Sequence, residues 1–223
     1  MANYIQNKLV VNCSNAEELQ LFLNAIEGDN RIIDFDKINP IPEDLIDTIE
    51  ECQSSYNNLY YYLKVSDKLD EVEKISKCTS IFKLKDSNFT NMSEDEIKNA
   101  FEMGRIAYEN FIKYGNISLY GWLMDNWGGE WNSLENELFD EDNSATIYFV
   151  SRGNDVLPII QKLNKMFPNI HIEYMFASED RGSNVGIAKT NKKGILKFRE
   201  IKDDTRKAKE IFRECWGSYY HCY

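Results

Sequence analysis

Polar and apolar positions alternate from Tyr4 to Val11 (YIQNKLVV), and the run ends in β-branched residues, which predicts a strand entering a core. Ser14 and Glu17 have the spacing of a capping box. Leu19, Phe22, Leu23 and Ile26 then recur at three- and four-residue intervals, predicting a helix over 15–27 closed by a left-handed Gly28. In RIIDFDKINPIP, Ile33, Phe35 and Lys37 alternate with Asp34 and Asp36 until Pro40 and Pro42 stop regular pairing. This predicts a second strand running into a rigid turn.

The pattern weakens over 43–92. A short amphipathic helix is expected from Glu43 to Cys52, and LYYYLKVS, rich in tyrosine, favours a strand. Ser93 with Glu96 is a second capping box. It opens a long helix whose apolar face is Ile97, Phe101, Tyr108, Phe111 and Ile112, with Gly115 at its end. Gly104 interrupts that helix at a cost of about 1 kcal/mol relative to alanine, so close packing of another element is expected there.

A further helix is predicted from Leu119 to Trp127, stopped by Gly128 and Gly129. EWNSLENELF and ATIYFVS flank the turn-like DEDNS and read as a hairpin. Val156, Leu157, Ile160, Leu163 and Phe167 then make a helix stripe ended by Pro168. In IHIEYMF, Ile170, Ile172, Tyr174 and Phe176 share one face of a strand and His171, Glu173 and Met175 the other. Strands near Val185–Lys189 and Ile195–Arg199 and a basic helix from about Asp203 to Trp216 complete the chain. The order is that of an α+β, ferredoxin-like βαββαβ antiparallel sheet with helices on one face, as a single domain over 1–223. It carries a helical insertion at about 43–115 and a basic C-terminal extension, with a C-terminal helix, at about 200–223.

Composition is globular: 43% hydrophobic, 13% aromatic, four prolines. No apolar run reaches the roughly 18 residues of a membrane span, and the first residues lack a basic region followed by an apolar block, so a cytoplasmic protein is expected. The five cysteines are odd in number and scattered, without metal or redox spacing, and read as reduced thiols, with Cys222 the most exposed. The net charge of −11 is uneven. Residues 1–142 carry 12 Lys/Arg against 28 Asp/Glu, and residues 143–223 carry 14 against 9. Either the basic part folds back over the acidic part, or two faces serve different partners.

Two histidines, His171 and His221, leave no material for a His-based triad or a HExxH zinc site, and no phosphate-cradling glycine loop is present. No cofactor and no metal are therefore expected. Glu135, Glu137, Asp140, Glu141 and Asp142 form an acidic cluster at the hairpin whose carboxylates suit a hard divalent cation but lack EF-hand spacing. Alternation explains Glu135 and Glu137 as a solvated strand face, and the five are candidates for a partner-binding surface. Tyr120, Trp122, Trp127 and Trp131 are the densest aromatic group, read as a packing plug or as an interface anchor. From Arg181 to Arg213 there are eleven Lys/Arg against four Asp/Glu. Lys192, Lys193, Lys197, Arg199, Arg206, Lys207 and Lys209 are the candidates there for phosphate contacts, although aromatic interleaving is nearly absent.

ANYIQNKLVV, IDFDKINPIPEDL, LYGWLMDNWGGEWNS and FPNIHIEYMFASEDRG together resemble the YubB ferredoxin-like family, also called Api92-like or DUF1281. The most specific part is Asn126-Trp127-Gly128 followed by Trp131-Asn132, with Pro40 and Pro42 after Ile38. The resemblance implies a ferredoxin-like fold and an origin on phages, plasmids and other mobile elements, without an active site to carry over. Relatives tend to have Trp-Ser-Pro-Pro where this chain has Ser151-Arg152-Gly153-Asn154. The expected function is a non-enzymatic binding protein that occludes a host protein or nucleoprotein complex, such as a defence component. The alternative is nucleic-acid binding through 181–213.

Overall fold

The computed structural model describes residues 4–46, 52–78, 84 and 92–217. In chain order its elements are β1 (Tyr4–Asn12), α1 (Ala16–Ile26), α2 (Phe35–Ile38), α3 (Glu43–Ile46), α4 (Gln53–Val65), α5 (Glu71–Cys78), α6 (Glu94–Tyr114) and α7 (Leu119–Asn126). There follow β2 (Leu134–Glu141), β3 (Ser144–Arg152), α8 (Leu157–Met166), β4 (His171–Ser178), β5 (Val185–Thr190), β6 (Leu196–Ile201) and α9 (Arg206–Trp216). Contacts divide the chain into two compact units, Met1–Pro40 with Asn126–Tyr223, and Ile41–Asp125.

The first unit is built on a six-stranded sheet in the order β2-β3-β1-β4-β5-β6, every neighbouring pair antiparallel. The expected strands over 4–11, 146–150 and 170–176 lie in it together. Alternation assigns Leu9, Ile147, Phe149, Ile172, Tyr174 and Phe176 to one face, and all six are buried. Phe35 of α2 meets Phe149 edge-on, and Phe22 of α1 meets Phe167 just beyond α8. The start of α8 is tied to this face because the Val156 amide donates to the Tyr174 hydroxyl, which itself donates to Asn7 Oδ1 at 2.7 Å. Asn7 Nδ2 donates in turn to Phe149 O and Ser151 Oγ, so the buried amide is fully occupied.

Not all helices cover that face. α9 packs on the opposite one, placing Ala208, Ile211, Phe212 and Cys215 against Ala177, Val185 and Ile201. Its apolar residues recur at three- and four-residue spacing and need cover, and the second face offers an apolar end to take them. Trp216 Nε1 fixes the end of the helix by donating to the carbonyls of Ala177 and Ser178 at 3.0 Å each.

Two expected strands are helical. At 33–37 the amides of Ile33 and Phe35 bond to Asn136 Oδ1 and Asn132 Oδ1 instead of to a ladder, and Asp34 caps α2 by accepting from the Asp36 amide. LYYYLKVS belongs to α4 in the second unit, where Tyr56, Leu59, Tyr62 and Leu63 recur with helical period against α6. A Cβ on Gly104 would press on the Asn58 carbonyl and lie 2.7 Å from Tyr62 Cβ, which accounts for the glycine. The α6 capping box and the left-handed Gly115 are as expected, but Ile112 is exposed and leaves the apolar face.

At α1 the cap is Asn15, not Ser14: its side chain accepts from the Glu18 amide, and Glu18 accepts from the Ser14 amide. Gly28 is not left-handed; a Cβ there would run into the Asp34 carboxylate. Of the helix expected over 43–52, Glu43–Ile46 is helical and 47–51 lie outside the described residues, as do Cys222 and His221.

Candidate binding surface on the sheet

Antiparallel pairing sets residues of successive strands in rows. On the second face one row runs Glu137, Tyr148, Lys8, Met175, Ile187, Arg199, and the next runs Phe139, Thr146, Val10, Glu173, Lys189, Lys197. α9 covers the neighbouring row and also packs on Met175 and Ile187 of the first, so the second row and the β2 end of the first remain open beside it. Between them and the C-terminal end of α9 is a hollow of about 420 Å³ lined by Lys8, Glu137, Phe139, Tyr148, Glu214 and Trp216, among others.

The hollow combines aromatic faces with a fixed charge arrangement. Phe139 and Tyr148 meet edge-on at 6.0 Å, and Lys8 Nζ lies 5.7 Å from the Tyr148 ring centre and 3.5 Å from Glu214 Oε2. Phe139 is 59% exposed. Cys215 at the wall is buried, and burial pushes its thiol up to about 12, so it enters the hollow as an inert surface. Farther along the face, Lys189 holds the Glu173 carboxyl below its ordinary range through a direct ion pair.

The acidic cluster does not act as one group. Glu137 lines the hollow and shares its face with Glu141, whereas Asp140 points to the opposite face. Glu135 sits at the bulge in β2 with φ 48°, and Asp142 occupies the hairpin turn with φ 36°. Among the described residues, no group of three or more His, Cys, Asp and Glu side chains could hold a metal ion.

Of the aromatic group, Trp122 and Trp127 are buried, whereas Trp131 and Tyr120 are 47% and 40% exposed, which corrects the packing reading for those two. Arg152 lies over the Trp131 ring at 4.2 Å. The basic candidates divide. Arg206 pairs with Glu210 at 2.9 Å, Lys207 with the same carboxylate at 3.9 Å, and Lys209 with Asp204 at 3.7 Å. Lys192 and Lys193 are in the β5–β6 turn, and Lys197 and Arg199 stand on the open face.

The motif residues behind the family resemblance clamp one loop onto another. Trp127 Nε1 donates to the Asn39 carbonyl at 2.9 Å, and Asn132 accepts from the Phe35 amide while donating to Asp34. Gly128 has φ 83°, and Gly129 forms a bridge with Gly153, where a Cβ would lie 2.7 Å from the Arg152 carbonyl. Sequence reasoning missed Lys8, Phe139, Tyr148, Glu214 and Trp216 as a group. The signal available was that Thr146 and Tyr148 alternate with the apolar Ile147 and Phe149.

No family model matches this sequence, and no curated protein matches it. Among solved structures, the crystal structure of a protein Api92 from Yersinia pseudotuberculosis, with family model DUF1281, is similar with a TM-score of 0.44 and 10% sequence identity. The alignment covers 92% of this chain and 100% of that one. Among the described residues no helix is long and apolar enough to cross a membrane.

Proposed function

We propose that the chain is a non-enzymatic binding protein of a phage or other mobile element, acting in the cytoplasm by occluding a host protein or nucleoprotein complex, such as a defence component. The observation that carries this reading is the open part of the second sheet face, where Phe139 and Tyr148 stand exposed or half-buried next to Glu137 and Glu214. Aromatic anchors ringed by charge are the make-up of a protein-binding surface. The frame is read as ferredoxin-like: strand order β2-β3-β1-β4, with α1 and α8 as the two connecting helices, supports it, and β5, β6 and α9 are appended beyond β4. The phage setting rests on the motif resemblance.

A pull-down from host lysate, with and without nuclease, tests the reading. The parent chain is expected to retain a protein partner after nuclease treatment, and a Phe139→Ala, Tyr148→Ala double variant to lose it at unchanged stability. Equal capture by the parent and the double variant removes this face from consideration. A second reading, nucleic-acid binding, is favoured by Lys197 and Arg199 standing exposed on the same face. It requires salt-sensitive binding of the isolated protein to a generic duplex.

A further inference from the structure

The two edges of the sheet carry opposite charge on the same face. β2, at one edge, presents Glu137, Phe139 and Glu141 there, and β6, at the other, presents Lys197 and Arg199. Each of the two rows thus begins at β2 and ends at β6: Glu137 and Arg199 terminate one, Phe139 and Lys197 the other. Five antiparallel steps separate the edges, so β6 runs opposite to β2.

We propose that copies of this chain associate edge to edge, with β6 of one copy adding antiparallel to β2 of the next. A second copy translated across the sheet continues both rows, bringing its Arg199 opposite Glu137 and its Lys197 opposite Phe139. Opposite charges and cation–aromatic pairs across strands are favourable. Like edges repel instead, since β2 against β2 opposes carboxylates and β6 against β6 opposes cations, so the contact is head-to-tail and open-ended.

Charges on an edge strand also serve to keep chains apart. An edge protected in that way has no use for exposed aromatic rings, yet Phe139 on β2 and Phe198 on β6 are 59% and 43% exposed. Phe198 stacks on Phe176 at 6.2 Å on the opposite face.

The test is sedimentation of the purified, nuclease-treated full chain from micromolar to submillimolar concentration, at low and high salt. The parent is expected to show concentration-dependent association that weakens with salt. The variants Glu137→Lys, Glu141→Lys and Lys197→Glu, Arg199→Glu are each expected to associate roughly tenfold or more weakly. Mixing the two variants restores each unlike edge and is expected to restore association. A strictly monomeric parent throughout the range overturns the proposal, as does a mixture that stays dissociated when circular dichroism shows both variants folded. Because only the purified chain is present, the outcome is independent of capture of a host partner.

Discussion

Replacing Trp127 by alanine probes the clamp between the 33–39 segment, which contains α2, and the segment leading into β2. The side chain is 3% exposed, its ring meets Phe35 edge-on at 5.8 Å, and Nε1 donates to the Asn39 carbonyl at 2.9 Å. Truncating a buried large aromatic costs about 3–5 kcal/mol, from lost burial and from the cavity left behind. The stranded Asn39 carbonyl adds about 1 kcal/mol. At about 2–4 °C per kcal/mol for a chain of this size, Tm should fall by roughly 10–20 °C in a calorimetric scan. Trp127→Phe keeps an aromatic ring and loses the donor, so it should fall between parent and alanine. Trp131→Ala is the internal control, because that ring is half exposed and its contact with Arg152 is worth only about 0.5–1 kcal/mol. A Trp127→Ala protein that melts with the parent, or a Trp131→Ala protein that melts as low as Trp127→Ala, refutes this account of the clamp.

Gly104→Ala should destabilise the second unit despite alanine's higher helix propensity, because the added carbon meets the Asn58 carbonyl and Tyr62; urea midpoints check the sign. Thiol labelling followed by mass spectrometry at neutral pH should modify Cys52 well before Cys13 or Cys215. Hydrogen bonds from Ser54 and Ser55 lower the Cys52 pKa, whereas burial pushes Cys13 up to about 11 and Cys215 to about 12. Burial also raises the Asp155 carboxyl in the folded chain, so the native state binds that proton more tightly than the unfolded one. Its contribution to stability therefore falls as pH rises from the ordinary carboxylate range through the raised value. Asp155→Asn, which retains an oxygen to accept from the Leu157 amide, should stabilise the protein at neutral pH and lose that advantage near pH ~3; denaturant titrations at the two pH values compare them.

The strands were legible where one face is buried and the other is not. IHIEYMF and ATIYFVS sit between strands on both sides, and their buried positions repeat every second residue from Ile170 to Phe176 and from Ala145 to Phe149 before consecutive buried residues end each strand. Reading failed where side chains took over the role of a ladder. Ile33 and Phe35 alternate like a strand, but their amides are satisfied by Asn136 and Asn132, about a hundred residues away in sequence, and no local window contains that information. LYYYLKVS failed for a different reason. Tyrosine's preference for strands gave way to the burial of Tyr56, Leu59, Tyr62 and Leu63 along one helix face, and the matching partner, Gly104, lies far downstream.

The charge asymmetry shows the same limit, and it changes what a polyanion would meet. Counted along the chain, the segment from Arg181 to Arg213 is a single basic block; in space it is several separate features. Arg206, Lys207 and Lys209 face carboxylates on or just before their own helix, and Lys189 is held by Glu173 across the strand pair. What remains on the sheet face is Lys197 and Arg199, on the same surface as the acidic β2 edge. With Lys192 and Lys193 of the β5–β6 turn these make four cations, so any slope of log affinity against log salt should stay at about −4 or shallower, at roughly −0.9 per neutralised phosphate on duplex DNA. With an overall charge of −11 opposing approach, the isolated protein is expected to show no duplex binding at physiological salt in a gel-shift assay. Submicromolar binding with a steep slope would mean that the ion pairs of α9 open to admit phosphates. Arg206, Lys207 and Lys209, not the sheet face, would then be the residues to change next.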